Sequence, residues 1–172
     1  LDSEEYGDFN ILLHALAQPG NVAFIKAALA TPLIGYPFVR IAALDDASLM
    51  AMRERFDGYR HTALRSGILA AYRRITADFA AYERLLAASG GERRAANYDH
   101  LAELADAHLR ERSLSLDSLL GDSPLRGTLP GEAAELRIAR DDEGVQILTV
   151  HRSKGLEFPV VFVPFSWRAQ KP

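Results

Sequence analysis

One stretch near the carboxyl end narrows the possibilities more than any other: residues 145–165, VQILTVHRSKGLEFPVVFVPF. Residues 145–150 are β-branched and apolar enough for a buried strand, and residues 159–165 repeat that character. Pro159 can open the second run without removing a ladder hydrogen bond. Between the two lies HRSKGLE, which holds a histidine, two basic residues, a hydroxyl, a glycine and a carboxylate. Two buried strands would hold such a turn still, and Gly155 would let its backbone approach a ligand closely.

The residues before it follow a helical period. Phe9, Leu12, Leu13 and Leu16 share one helix face, with Asp8 near its start, residues 1–7 frayed, and Pro19–Gly20 as the stop. Asn21 is placed to cap a second helix carrying Phe24, Ile25, Ala28 and Leu29, which Thr31–Pro32 ends. Asp45 or Asp46 caps a third with Leu49, Met52 and Phe56, and Asp57–Gly58 is expected to interrupt the chain. The longest periodic run is Ile68, Tyr72, Ile75, Phe79, Tyr82 and Leu86, which predicts one helix capped by Ser66 and ended by Gly90–Gly91. Its opposite side, with Arg73, Arg74, Asp78, Glu83 and Arg84, is expected to face solvent. A further helix starts near Asn97 and carries Tyr98, Leu101, Ala105 and Leu109, and a short one follows Ser115. Residues 136–140 and 145–150 are spaced for a hairpin about the DDEG turn. Helices first and strands last predict a mainly α chain with a small C-terminal β part, α+β as it stands.

Composition excludes more than it assigns. There is no cysteine, so neither a disulfide framework nor a thiolate metal site is available. The formal net charge is −3, so any role with nucleic acid must rest on a local patch. No apolar run approaches the ~20 residues that span a bilayer. His14, His61, His100 and His108 are not spaced as metal ligands, and no metal site is expected. The start at Leu1 and the stop at Pro172 are read as those of a piece of something longer.

The pattern T-x-H-x-S-K-G-L-E-F/Y before an apolar run resembles motif V of the superfamily 1 DNA helicases of the UvrD, Rep and RecB type. Thr149, His151, Ser153, Lys154, Gly155, Leu156, Glu157 and Phe158 fall on it, and Arg152 stands where lysine is usual. Pro159 and the Pro164–Phe165 pair are most similar to the RecB kind, the β subunits of exodeoxyribonuclease V. Further upstream, a Pro-Gly-Asn break between apolar helices followed by ATPLIG is similar to the segment after motif IV.

The resemblance implies a helical insertion attached to part of a RecA-like P-loop α/β motor domain. Residues 1–35 would be the edge of the second motor domain, 36–131 a helical 2B-like subdomain, and 132–172 the strands and motif V of the motor. It implies one subunit of an ATP-dependent 3′–5′ DNA helicase and exonuclease that serves double-strand break repair and recombination. Partners would be single-stranded and duplex DNA and the other subunits of a helicase–nuclease complex, in the cytoplasm, with no membrane. Thr149, His151, Ser153 and Lys154 would contact the DNA backbone, and Gly155 and Glu157 would face the nucleotide. ATP and Mg²⁺ would serve the whole protein. This chain has no G-x-x-x-x-G-K-S/T loop, no Mg²⁺-binding acidic pair and no arginine-bearing motif VI, so no catalytic residue or cofactor is expected within it. The alternatives are a UvrD- or AddA-type repair helicase and, in another class, a non-catalytic helical interaction module.

Overall fold

The computed structural model describes residues 4–112, Leu116, His151, Ser153, Lys154 and residues 158–163. The chain divides into two compact units, Leu1–Ala139 and Arg140–Pro172. The first is helical throughout its described length, with seven helices.

Helix α1 spans Glu4–Ala17 and begins earlier than the expected frayed start allows. Glu4 and Glu5 sit in its first turn, where carboxylates suit the positive end of the helix. Glu5 is also buried and lies 3.6 Å from the Arg94 guanidinium. Helix α2, Val22–Ala30, starts as the sequence predicts: Asn21 accepts a hydrogen bond from the Ala23 N–H at 3.0 Å. A short helix α3, Phe38–Ala42, then follows the TPLIGYP turn.

Helix α4, Asp46–Ser66, is capped by Asp45, which accepts from the Ser48 N–H at 2.8 Å. It runs through Asp57–Gly58 without a break, correcting the expected interruption. A mid-helix glycine costs about 1 kcal/mol. Phe56 and Tyr59 on either side are fully buried, and packing on that scale outweighs the local preference.

The predicted helix over residues 68–86 is two helices, α5 (Ile68–Asp78) and α6 (Ala81–Leu86). Ala80 adopts the left-handed conformation between them, φ 49° and ψ 46°. The break shifts the phase, so Leu85 is 4% exposed and Leu86 is 54% exposed, the reverse of the sequence period. Arginines take up carbonyls near the break: Arg55 donates to the Asp78 carbonyl, and Arg84 to those of Phe79 and Ala80. Because a Cβ is strained at this φ, Ala80→Gly is expected to stabilise the fold by roughly 0.5–1 kcal/mol in urea denaturation. A loss of stability would contradict the left-handed assignment.

Ser66 does not cap α5. Gly67 stands at that position, with φ 94°. The capping oxygen comes from another helix: Asp106 Oδ1 accepts from the Leu69 N–H at 3.4 Å, and Arg110 pairs with the same carboxylate at 2.8 Å. Helix α7, Gly91–Arg112, begins six residues before Asn97, which lies inside it with 6% exposure.

These helices enclose one apolar core. Helix α1 packs on α2, α4 and α7, and α7 also packs on α5 and α6. Phe9, Leu12, Leu13, Leu16, Ile25, Leu29, Phe56, Ile75 and Leu101 fill it, with Leu116 joining from beyond α7. Ile68, Tyr72, Ile75 and Phe79 belong to this core, and Tyr72 meets Phe9 edge-on at 6.2 Å.

In the second unit, residues 158–163 carry no strand pairing among the described residues. Val160, Val161, Phe162 and Val163 are between 59 and 87% exposed. The structure therefore establishes a mainly helical chain. The predicted strands at 136–140 and 145–150 lie outside the described residues. Among the described residues no helix is long and apolar enough to cross a membrane.

Candidate functional site

The described part of the HRSKGLE segment is a turn. His151, Ser153 and Lys154 all take turn conformation, with the imidazole and the ammonium exposed and Ser153 half-buried. A neutral imidazole donates and accepts one hydrogen bond each, and an ammonium offers three donors to an anion. The turn thus presents a donor-rich polar edge to solvent, followed by a half-buried Phe158 and the exposed apolar residues 160–163. Thr149, Gly155 and Glu157, the other residues assigned to DNA and nucleotide, lie outside the described residues.

The second stretch carrying the resemblance, ATPLIG, is a compact turn in the helical unit. The Thr31 hydroxyl donates to the Ala28 carbonyl at 2.7 Å, and the N–H of Gly35 donates to the Thr31 carbonyl at 2.7 Å. Arg84 reaches across from α6 and donates to the carbonyls of Leu33 at 2.9 Å and Pro32 at 3.4 Å. Gly35 sits directly beneath that guanidinium with φ +71°, and a methyl group there would overlap Arg84 Nε. Arg84, expected to be solvated, is instead the tie between this turn and the α5–α6 break.

A model of the UvrD-like helicase C-terminal domain matches residues 71–167, more than half of the chain. The chain belongs to the UvrD-like helicase family. Among its relatives, the RecBCD enzyme subunit RecB of Escherichia coli is 33% identical over 162 residues, 90% of this chain and 13% of the relative. The same subunit of Haemophilus influenzae is 34% identical over 145 residues, 82% of this chain and 12% of the relative. An ATP-dependent helicase/nuclease subunit of Geobacillus kaustophilus is 32% identical over 117 residues, 66% of this chain and 9% of the relative. The chain thus spans less than a sixth of the length of these relatives. Within the family it is of RecB type.

For a UvrD-like helicase chain, the polar ties inside the helical unit are as informative as the loop. Asp99 of α7 accepts from Tyr72 at 2.9 Å and also from Tyr82, joining α5, α6 and α7 at a single carboxylate. Burial, reinforced by that carboxylate, pushes the Tyr82 hydroxyl up to about 12, and burial drives the Tyr72 hydroxyl higher still. Tyr59 donates to Asp78 at 2.8 Å and accepts from Arg55 at 2.7 Å. Tyr98 donates to Asp8 at 2.7 Å, tying α7 to α1. None of these four tyrosines is available as a base near neutral pH, so the groups are structural. Hydrophobic periodicity marks the aromatic positions as core but carries no information about which carboxylate each hydroxyl meets.

Asp8 gives the unit an acid-range dependence. Burial raises its pKa above the usual 3.8, more than the Tyr98 hydrogen bond and Arg94 lower it. The folded state therefore holds this proton more tightly than the unfolded chain does. That contribution is complete below the unfolded value and is lost as pH rises through the folded one. Relative to Asp8→Asn, the native chain is expected to lose stability as pH is raised from about 4, followed by denaturant midpoint. A flat difference across that range would contradict it.

Proposed function

We propose that this chain forms the helical 2B-like subdomain and the adjoining motif V section of a RecB-type subunit, part of an ATP-dependent 3′–5′ DNA helicase and exonuclease that processes double-strand breaks. Residues 1–35 enter from the edge of the second motor domain, 36–131 form the insertion, and 132–172 return to the RecA-like motor with its strands. The likeness to RecB subunits over most of the chain carries this reading. The exposed His151 and Lys154, brought together in one turn, support it. The AddA-type relative favours the same chemistry in a sister complex.

In this reading Thr149, His151, Ser153 and Lys154 hold the backbone of single-stranded DNA. Contacts of that kind give affinity and register without reading bases, as a translocating motor requires. Gly155 allows close approach of the nucleotide, and Glu157 accepts from a ribose hydroxyl. ATP and Mg²⁺ supply phosphoryl-transfer chemistry in the whole protein, through residues this chain does not contain: its sequence has no phosphate-cradling G-x-x-x-x-G-K-S/T loop. What this chain contributes is a short loop that meets polymer and nucleotide together, so that displacing it changes both contacts. The other partners are duplex DNA and the remaining subunits of the complex, in the cytoplasm.

Lys154→Ala in the whole subunit tests the DNA contact. One lost phosphate contact should flatten the salt dependence of single-stranded DNA binding by about 0.7 in log–log slope. An unchanged slope would remove Lys154 from the DNA-binding set.

A further inference from the structure

Residues 58–74 hold Arg60, Arg65, Arg73, Arg74 and His61 and no aspartate or glutamate, in a chain of net charge −3. The fold gathers part of this excess around one concavity of about 380 Å³ between α4 and α5. Gly58, His61, Thr62, Arg65, Ser66 and Arg74 line it, and no carboxylate does. Arg74 is held in place: it donates to the Thr62 hydroxyl at 3.0 Å and lies 5.5 Å over the Tyr59 ring. Arg65 and His61 are exposed.

Several other arginines have structural partners. Arg55 pairs with Asp78, Arg94 with Glu5 and Arg110 with Asp106, while Arg60 donates to the Ala17 carbonyl. Among the described residues, neither Arg65 nor Arg74 meets a carboxylate. A basic residue in the last turn of α4 also suits the helix dipole, and that accounts for Arg65. It does not account for Arg74, which comes from the middle of α5.

We propose that this concavity is a phosphate-binding subsite of the helical unit, separate in its residues from the 151–157 loop. Guanidinium forks, an imidazole and the Ser66 hydroxyl are a donor set that phosphate oxygens match, while Thr62 gives its proton to the Gly58 carbonyl at 3.0 Å and serves to hold Arg74. A cavity of this volume has room for a phosphoryl group and its waters. The phosphate could be a diester of a nucleic-acid strand or a free phosphate anion, since the donor chemistry is common to both.

The test uses the full chain and three probes: a blunt DNA duplex, sodium pyrophosphate and a polyglutamate peptide. Arg65→Ala/Arg74→Ala is compared with Arg53→Ala/Arg93→Ala, which removes equal charge from exposed sites elsewhere. The subsite predicts that the first pair lowers the salt slope of duplex binding by about 1.8, two contacts at 0.9 each, and the control pair does not. Amide resonances of residues 58–74 should shift on titration with duplex, and the double variant should lose that shift. Shifts with pyrophosphate alone, equally lost in the double variant, would assign the site to a free anion. Arg65→Lys, which keeps the charge, should retain the full slope if folding is intact. Equal weakening by both pairs, or shifts only with polyglutamate, or none with any probe, would overturn the proposal.

Discussion

Substituting Gly35 by alanine is expected to destabilise the helical unit by about 3 kcal/mol, although the change adds only a methyl group. Two effects combine. At φ +71° an L side chain costs roughly 1–2 kcal/mol. The added Cβ would also overlap Arg84 Nε, so the guanidinium must leave a place where it bonds the carbonyls of Pro32, Leu33, Phe79 and Ala80. Hydrogen bonds to a charged donor contribute roughly 1.5–3 kcal/mol each when shielded, and partial exposure of Arg84 reduces that sum.

A double-mutant cycle separates the two effects. Arg84→Ala alone should cost about 2 kcal/mol. Gly35→Ala in the Arg84→Ala background should cost only the backbone term, because the obstructing side chain is gone. Strict additivity, read from urea midpoints, would show that Gly35 and Arg84 are independent.

The end of the second helix was legible because Pro32 disfavours helix at Thr31. Arg84 was not legible, because its partners are backbone carbonyls about fifty residues away, and a carbonyl has no sequence identity. The helices themselves followed from the spacing of Phe9, Leu12, Leu13 and Leu16 and from the side-chain caps at Asn21 and Asp45. The break at Ala80 left no trace, since alanine is the best helix former and nothing about it announces a left-handed residue. Gly58 misled in the other direction: a local helix breaker is overridden when Phe56 and Tyr59 bury beside it. Gly67 is a third case, because its missing cap is supplied by Asp106, distant in sequence and placed there by α7.

The candidate loop was legible for a different reason. Its signal is chemical, a run of donors around a glycine, and the turn at His151, Ser153 and Lys154 agrees with it. The strands expected on either side rested on β-branched composition. Residues 145–150 lie outside the described residues, and in the described part of the second run, 158–163, composition states what could be buried while a strand exists only where a neighbour supplies its ladder.

Under the proposed function, residues 149–157 join a DNA contact to a nucleotide contact. The most direct test of this coupling is single-stranded-DNA-stimulated ATP hydrolysis by the whole subunit carrying His151→Ala, beside the unmodified protein. Basal hydrolysis is expected within about twofold, with a loss of stimulation of about tenfold or more, near 1.4 kcal/mol of coupling. Single-stranded DNA affinity should weaken in parallel. Full stimulation by DNA in the variant would contradict it.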